Sequence, residues 1–533
     1  MPKRAQHRVS MHDLTPHIPI LTDYALLTRM VSRRTGGIMQ LNLSNIEYTY
    51  PTAAEPALRG ASVTFPQGWT GVVGDNGSGK TTLALVACGL VQPDIGTVMP
   101  SLVTRYCAQD STAAPDDLEA FALAYDGLAV RLRRDLAIED EWLWRYDALS
   151  CGQQKRLQVA CALWAEPDVL AMDEPTNHLD SSTKRTISAA LARFSGIGLL
   201  VSHDRELLDA LCSQCLFVAH GSALMRPGGY TQASAQAALE RSSTIHAREN
   251  ARNEKTRIER EVQRRREEAA RTAGRRSLRG IDKRDSDARE RRNLAVVTGQ
   301  DGKAGKLSSR IAGRLETANA KLAANFVEKR YDADVWLDVE PSRRKVLVRM
   351  EPQTLVFGGT VLSVPALHIG NTDHIGLVGD NGTGKTTLVK RIVGSLPDGT
   401  RTLYIPQEPS EVDKRAVLAA LHDLPDARRG RALSIVAQLN SDPERILEGG
   451  VVSPGEMRKL MLALGILDEP KLIVMDEPTN HLDLGSTVAL ERMLTAYPAA
   501  LLLVSHDVKL VAAATRITWQ ISGKGDEYRL QVR

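Results

Sequence analysis

A glycine-rich sequence that ends in lysine and threonine occurs twice in this chain of 533 residues. The copies read GDNGSGKTT at residues 74–82 and GDNGTGKTT at residues 379–387, each between a short apolar run and a segment of helical character. Glycines let backbone N–H groups turn around a phosphate, and the start of a helix adds about half a positive charge behind them. The lysine then reaches the phosphates, and the first threonine can ligate Mg²⁺. The predicted contact residues are Gly74, Asn76, Gly77, Gly79, Lys80, Thr81 and Thr82 in the first loop and Gly379, Asn381, Gly382, Gly384, Lys385, Thr386 and Thr387 in the second.

Each half also carries an aspartate–glutamate pair directly after a second apolar run, at Asp173-Glu174 and Asp476-Glu477. A buried strand that ends in two carboxylates suits metal–nucleotide chemistry, because one can hold Mg²⁺ and the next can orient an attacking water. A histidine lies 29 residues after each glutamate, at His203 and His506. The equal spacing in the two halves indicates a duplicated domain.

Two further motifs separate the phosphate loop from the carboxylate pair in each half. The first ends in a glutamine, at Gln109 and Gln407, and the second is a serine–glycine loop, LSCGQ at residues 149–153 and VSPGE at residues 452–456. This set of motifs in this order resembles the ABC-F family of ATP-binding-cassette ATPases, in which one chain carries two cassettes and no membrane domain. The resemblance covers residues 39–533.

The resemblance implies an α/β fold, with two P-loop nucleotide-binding cassettes joined by a long α-helical hairpin. It implies ATP and Mg²⁺ as cofactors, Glu174 and Glu477 as catalytic carboxylates, and His203 and His506 as contacts to the γ-phosphate. Mg²⁺ would be held by Thr81, Gln109 and Asp173 in one cassette and by Thr386, Gln407 and Asp476 in the other.

A head-to-tail closure of the cassettes, as an intramolecular dimer, is a further implication of the resemblance. Each ATP would then lie between one phosphate loop and the serine–glycine loop of the opposite cassette. We call the site at residues 74–82 the first site and the site at residues 379–387 the second site. The opposing residues would be Ser453, Gly455 and Glu456 at the first site and Ser150, Gly152 and Gln153 at the second.

The second serine–glycine loop departs from the family pattern, with Val452 in place of leucine and Pro454 where a small residue is common. Its serine and glycine are kept, so we expect ATP to bind at both sites, but the departure gives no reason to expect equal hydrolysis rates. Tyr50 lies 24 residues before the first loop, where its ring could stack on adenine or pack in a sheet. No tyrosine matches it near the second loop, and Phe357 is the candidate there.

The connector between the halves is strongly basic. Residues 241–330 contain 25 Lys and Arg and 13 Asp and Glu, a net charge of +12, whereas the rest of the chain carries a net charge of −8. The pattern predicts two helices, about 233–272 and 306–327, paired as an antiparallel hairpin. One interpretation is a solvated tether between the cassettes. The other interpretation is contact with nucleic-acid phosphates. Since no aromatic residue lies between 242 and 325, the connector would recognise the backbone and shape of the nucleic acid and would not stack on its bases.

The resemblance favours the second interpretation, since in this family the hairpin enters the tRNA exit-site region of the ribosome. Large-subunit rRNA and tRNA would then be the partners. The predicted segments are 1–38, a leader that is disordered or a start assigned too early, 39–232, the first cassette, 233–340, the linker, and 341–533, the second cassette.

Two bulk features bear on the compartment. No run of about 18 apolar residues is present that could span a membrane. All six cysteines lie in the first half without a disulfide or zinc pattern, which favours buried thiols in a reducing cytosol. We therefore expect a cytoplasmic protein, and the intramolecular cassette dimer that the resemblance implies predicts a monomer in solution.

Three functions fit this sequence. In the first, ATP closes the cassettes on a ribosome, the hairpin settles against rRNA and tRNA, a bound antibiotic is displaced, and hydrolysis releases the factor. Gln109 and Ser150 are 41 residues apart and Gln407 and Ser453 are 46 apart, so the first cassette has no inserted arm, which by analogy favours the ribosome-protecting members. The second function is a general translation factor. The third, the ATPase subunit of a drug exporter, needs a membrane partner and leaves the basic hairpin without a role.

Overall fold

The computed structural model describes residues 39–177, 179–219, 221–276, 300–324, 339–447 and 452–533. The expected leader at residues 1–38 and residues 277–299 at the far end of the connector lie outside the described residues. Within the described part, the chain divides into two compact units. The first unit holds both cassettes, up to Ala233 and after Arg330, and the second lies within Ser234–Lys329.

The first cassette combines nine strands with six α-helices in its described residues. Its strands are β1 (Gln40–Tyr48), β2 (Leu58–Pro66), β3 (Gly68–Val73), β4 (Ile95–Met99), β5 (Thr104–Cys107), β6 (Val169–Asp173), β7 (Ile197–Val201), β8 (Cys212–Ala219) and β9 (Ser222–Pro227). Its helices are α1 (Lys80–Ala87), α2 (Leu118–Leu123), α3 (Gly127–Asp135), α4 (Cys151–Trp164), α5 (Ser181–Leu191) and α6 (Arg205–Leu211), with short 3-10 turns at Asp140–Trp144 and Tyr146–Ala148.

The main sheet of this cassette has the strand order β5-β6-β7-β3-β8-β9, parallel except for β9, and a smaller antiparallel sheet has the order β2-β1-β4. Every residue of β6 and β7 is buried. In β6, Leu170 and Met172 belong to one hydrophobic cluster, whereas Val169 and Ala171 belong to another. Alternate side chains of a strand point to opposite faces, so both faces of the sheet are covered, which explains the continuous apolar run before Asp173.

In its described residues, the linker contains two long helices, α7 (Tyr230–Arg276) and α8 (Gln300–Ala324). Ion pairs of 3.7 Å join Glu254 to Lys321 and Glu261 to Arg314. Because the later residue of α7 pairs with the earlier residue of α8, the two helices run antiparallel. The buried side chains of Ile258, Ile311 and Ala318 lie between the helices. The predicted antiparallel hairpin is confirmed, with a first helix that extends about 70 Å at 1.5 Å per residue.

The second cassette repeats this plan. Its strands are β10 (Val346–Met350), β11 (Gln353–Phe357), β12 (Thr360–Val364), β13 (Leu367–Gly370), β14 (His374–Val378), β15 (Thr402–Ile405), β16 (Leu472–Asp476), β17 (Ala500–Val504), β18 (Ile517–Lys524) and β19 (Glu527–Val532). Its helices are α9 (Lys385–Val393), α10 (Glu411–Asp423), α11 (Asp426–Gln438), α12 (Pro443–Leu447), α13 (Pro454–Ile466), α14 (Leu484–Thr495) and α15 (Val508–Ala514).

The main sheet of the second cassette has the order β11-β12-β19-β18-β14-β17-β16-β15, and β10 pairs with β13 in a separate two-stranded sheet. Its central order, β15-β16-β17-β14-β18, matches β5-β6-β7-β3-β8 of the first cassette. The two halves therefore share the topology of their central strands, and the predicted fold class is confirmed.

The six cysteines fall into two groups. Cys88, Cys107, Cys161, Cys212 and Cys215 are buried, and Cys151 is exposed, so the expectation of buried thiols is wrong for Cys151. Burial raises the pKa of the five buried thiols. No helix in the described part of the chain is long and apolar enough to cross a membrane.

Two candidate nucleotide sites

Each phosphate loop ends in a glycine that no other residue could replace. Gly79 and Gly384 cap α1 and α9 with φ values of 98° and 92°, in the left-handed region. A Cβ would lie 2.6 Å from the Ala57 carbonyl oxygen at Gly79 and 2.3 Å from the Phe357 ring at Gly384. The sharp turn leaves the first N–H groups of each helix without intrahelical partners, which is the arrangement that binds phosphate.

The two loop lysines are buried and curl over their own loops. Nζ of Lys80 donates to the carbonyl oxygens of Gly74 and Asp75, both at 2.9 Å. Nζ of Lys385 donates to the carbonyl oxygens of Gly379 at 2.6 Å and Asp380 at 3.2 Å. Burial lowers the pKa of both lysines, against the effect of surrounding carboxylates. Each ammonium therefore lies inside the loop that a phosphate would enter.

A threonine–aspartate pair lies beside each lysine. Oγ1 of Thr81 donates to Oδ2 of Asp173 at 2.8 Å, and Oγ1 of Thr386 donates to Oδ2 of Asp476 at 2.8 Å. The hydroxyl of Tyr106 also donates to Asp173, at 2.8 Å. Burial raises the pKa of Asp476.

These oxygen donors fit Mg²⁺. The ion prefers one or two carboxylates together with substrate phosphates, not a cage made entirely of protein ligands. No group of three or more His, Cys, Asp or Glu that could hold a metal occurs in the described ranges.

A glutamate–histidine pair completes each site with nearly identical geometry. In the first site, Nε2 of His203 lies 3.4 Å from Oε1 of Glu174, and the backbone N–H of His203 donates to Oε2 at 3.2 Å. His506 and Glu477 repeat both distances. The two glutamates have φ values of 46° and 47°, a strained conformation for residues with a side chain.

Burial shifts the titration of these groups in opposite directions. It raises the pKa of Glu174, and it raises the pKa of Glu477 to about 7. It lowers the pKa of His203 and His506 to about 3, so both imidazoles are neutral at physiological pH. Among the described residues, the buried Oε1 atoms of Glu174 and Glu477 have no hydrogen-bond partner. A buried carboxylate oxygen without a hydrogen-bond partner is available to accept a proton from water.

The second site faces a cavity of about 450 Å³ that both cassettes line. The second cassette contributes Phe357, Asn381, Lys385, Thr386, Gln407, Asp476, Glu477 and His506, among others. The first cassette contributes Glu174, His203 and residues between them, including Thr176, Asn177, Leu179 and Lys184. Ser150 and Gly152 are not in the described lining. Ser150 instead caps α4, in a reciprocal capping box with Gln153.

At the first site, a carbonyl oxygen connects the two cassettes. Nδ2 of Asn76 donates to the carbonyl oxygen of His481 at 3.1 Å. The same oxygen lies against Gly455, where a Cβ would be only 2.5 Å away. The structure thus brings the first phosphate loop close to the second serine–glycine loop. Ser453 and Glu456 form the capping box of α13 beside this contact.

The two aromatic candidates both lie next to a phosphate loop. The hydroxyl of Tyr50 is 3.0 Å from Oγ1 of Thr82, and its ring packs edge-on against Tyr48 with centroids 5.0 Å apart. The Phe357 ring contacts Gly384 and lines the second cavity, together with Thr387. Phe357 reaches this place because it ends β11, and the β11–β12 hairpin extends the main sheet.

Sequence reasoning missed a buried cation at the same position in each of the two helices that follow the serine–glycine loops. Nζ of Lys155 donates to the carbonyl oxygens of Ala108 at 2.8 Å and Gln109 at 2.9 Å. Nη2 of Arg458 donates to the carbonyl oxygen of Gln407. Both lie five residues after their serine, which was the available signal. They tie α4 and α13 to the glutamine loops.

A protein-family model described as ABC transporter matches residues 58–177 and 362–480, once in each cassette. ATP-binding protein Uup of Caulobacter vibrioides is 29% identical over 497 residues, covering 89% of this chain and 76% of that protein. Tylosin resistance ATP-binding protein TlrC of Streptomyces fradiae is 28% identical, over 90% of this chain and 96% of its own. Ribosome protection protein VmlR of Bacillus subtilis is 25% identical, over 92% and 88%.

Among solved structures, the archaeal ribosome recycling factor aABCE1, in complex with the ribosomal stalk protein aP1, matches with a TM-score of 0.60. The match covers 91% of this chain and 89% of that chain at 18% identity, which supports the fold alone.

Fold and sites together define a tandem ATP-binding-cassette protein, a class whose domains bind ATP. The relatives to which it is similar are ABC-F proteins, and this chain, with its two cassettes, is an ATPase.

Proposed function

We propose that this ATPase binds the ribosome when ATP closes its cassettes, and that it displaces an antibiotic near the tRNA exit site. The proposed parts are cassettes at residues 39–232 and 341–533 and a linker at residues 233–340. Large-subunit rRNA and tRNA are the proposed partners, and the protein acts as a monomer in the cytoplasm. Hydrolysis then reopens the cassettes and releases the factor, because ATP and its products favour different conformations.

The observation that carries this proposal is the concentration of positive charge on the helical linker. Residues 241–330 of the linker carry a net charge of +12, whereas the rest of the chain carries −8, so RNA phosphates would attract this part of the linker and repel the body. Arg252, Arg257 and Arg260 of α7 are exposed. The names of TlrC and VmlR, which refer to tylosin resistance and ribosome protection, support the same function.

At each site, the proposed roles follow from position. Glu174 and Glu477 orient the attacking water and accept its proton, while His203 and His506 contact the γ-phosphate. The threonine and aspartate of each site, with Gln109 or Gln407, would hold Mg²⁺, which when bound neutralises charge on the phosphate oxygens. The glycine-rich loops, together with the serine–glycine loops, bind the phosphates, and Tyr50 and Phe357 stack on adenine.

A hydrolysis-deficient variant tests the ATP-dependent association. Glu174→Gln with Glu477→Gln keeps the shape of both sites but removes the proton acceptors, so the ATP-bound closed form should accumulate on ribosomes. We expect co-sedimentation of this variant with ribosomes in ATP and its loss in ADP. If ATP and ADP give the same low level of co-sedimentation, ribosome binding driven by ATP is wrong.

A second pair of variants tests the linker. Changing Arg252, Arg257 and Arg260 to glutamine should weaken ribosome binding and flatten its salt dependence, by about 0.7–0.9 in the log–log slope for each phosphate that the variant no longer neutralises. The matched control changes the exposed Arg343, Arg344 and Lys345 of the second cassette to glutamine, the same loss of charge at another place. Equal weakening by both triple variants would remove the linker from the proposal.

Drug susceptibility separates ribosome protection from a general role in translation. Cells that express the protein should tolerate a higher concentration of a ribosome-targeting antibiotic, and the Glu174→Gln, Glu477→Gln variant should not confer this tolerance. Ribosome binding without changed susceptibility to any such drug would favour the general translation factor.

A further inference from the structure

An ion-pair cluster crosses between the cassettes beside the second site. The guanidinium of Arg205, in α6 of the first cassette, lies 2.7 Å from Oε2 of Glu491 and 3.3 Å from Oδ2 of Asp507, both in the second cassette. The Arg205 side chain is 9% exposed. Burial opposes the charge of Arg205, yet the two neighbouring carboxylates raise its pKa, so the guanidinium is held in its charged form.

Asp507 connects this cluster to the histidine of the second site. It follows His506 directly, and its carboxylate caps α15 by accepting from the N–H of Leu510 at 3.0 Å. Its own N–H donates to Oγ of Ser505 at 3.0 Å. The turn that carries His506 is therefore fixed at Asp507, and Asp507 is held from the other cassette. Both Arg205 and Asp507 line the second cavity.

The histidine turn of the first site is held by residues of its own cassette. Asp204, which follows His203, pairs with Lys184 of its own cassette at 3.1 Å and with Thr176 at 3.3 Å. The position that corresponds to Arg205 is Val508 in the second cassette, at the same distance from its catalytic glutamate. A cross-cassette cation of this kind therefore has no counterpart at the first site in the sequence.

We propose that Arg205 is a positioning residue supplied in trans to the second ATP site. It orients the His506 turn through Asp507 when the cassettes are closed, so hydrolysis at the second site depends on closure. The histidine turn of the first site is held within one cassette and lacks this dependence. The inference rests on the proposed roles of the glutamates and histidines and is independent of any ribosomal partner.

Single-site variants make the two sites separately measurable. Glu174→Gln leaves hydrolysis at the second site, and Glu477→Gln leaves it at the first. Adding Arg205→Met should lower kcat about tenfold or more in the Glu174→Gln background, because one partner of a buried charge cluster is removed. In the Glu477→Gln background we expect less than about a twofold change. KM for ATP should stay constant, since Arg205 holds the turn and does not bind nucleotide in this proposal.

Three controls decide between positioning and general loosening of the interface. Lys509→Met removes another cross-cassette ion pair, in which Nζ of Lys509 lies 2.6 Å from Oδ2 of Asp209. This change leaves the ion pair of Asp507 in place, so it should affect both backgrounds alike. Arg205→Lys keeps the charge and should recover part of the second-site kcat. If Arg205→Met does not fold, Glu491→Gln removes the shortest ion pair of the cluster and should give an intermediate, second-site-specific loss.

Two results would overturn the proposal: equal loss of kcat in both backgrounds, or unchanged kcat at the second site. A failed site assignment would look different. In that case the double Glu174→Gln, Glu477→Gln variant would itself retain ATP hydrolysis.

Discussion

Nζ of Lys385 lies 2.9 Å from Nε2 of His506. An ammonium can only donate, so in this contact the imidazole nitrogen accepts, which agrees with a histidine whose pKa burial lowers to about 3, and Oδ1 of Asn381 lies 3.1 Å from the same nitrogen. The three ammonium hydrogens of Lys385 are thus directed at two loop carbonyls and at His506. A phosphate that enters the loop would meet a positioned cation and a neutral imidazole together.

Replacing either loop lysine should weaken ATP binding at one site only. Lys385→Met should weaken ATP binding at the second site, and Lys80→Met at the first, each roughly 10- to 150-fold, the worth of a hydrogen bond to a charged group. Titration calorimetry would show the stoichiometry fall from two to one under conditions that saturate the wild-type sites. Lys524→Met, at an exposed position in β18, is the control and should bind as wild type.

Hydrolysis at the second site should rise with pH through neutrality. Its proton acceptor, Glu477, works only when ionised, and burial raises its pKa to about 7, so the protonated form predominates below that pH. His506, with a pKa of about 3, stays neutral across this range. We expect kcat/KM for ATP in the Glu174→Gln variant to increase toward a plateau above about pH 8. A flat profile between about pH 5 and 9 would contradict the assignment.

The Tyr50 ring, and not its hydroxyl, should contribute to nucleotide affinity at the first site. In a Lys385→Met background, Tyr50→Ala should weaken ATP binding by about 1–3 kcal/mol, the range for stacking of a base on an aromatic ring. Tyr50→Phe keeps the ring and removes only the 3.0 Å hydrogen bond to Thr82, so its affinity should change little. Equal losses in the two variants would show that the hydroxyl matters and that the ring only packs in the sheet.

A methyl group at Gly384 should destroy the second phosphate loop. The added Cβ would clash with the Phe357 ring at 2.3 Å and would force a side chain into a φ of 92°. We expect Gly384→Ala to lose ATP binding at the second site and to destabilise the protein by at least about 1–3 kcal/mol. Gly430→Ala is the control, because its Cβ meets nothing within 4 Å inside α11 and should stabilise the helix by up to about 1 kcal/mol. Calorimetric unfolding measures both changes.

Local chemistry explains why the sequence predicted some of these features and missed others. The phosphate loops and carboxylate pairs are contiguous motifs whose function depends on a strand, a turn and a helix next to one another in the chain. These motifs occur in the same order in both halves, so the motifs in each half support the assignment of those in the other. The linker helices were likewise predictable, because the segment is charged and free of proline. Its few apolar residues favour pairing of the two helices as a hairpin, since a largely polar helix needs a partner.

Contacts between distant parts of the chain were beyond such reasoning. Arg205 meets Asp507 across 302 residues, and Asn440 meets Asp75 across 365. Neither pair has a local pattern, because each exists only after both cassettes have folded and met. Phe357 was only a candidate for the same reason, since its position depends on how the β11–β12 hairpin joins the sheet.

The distribution of the thiols has a practical consequence for studying this protein. The thiolate is the form that reacts, and burial keeps five of the six sulfurs protonated at neutral pH. An alkylating dye would therefore attach at Cys151, next to Ser150. The unaltered chain already carries a labelling position from which fluorescence could follow the approach of its two halves.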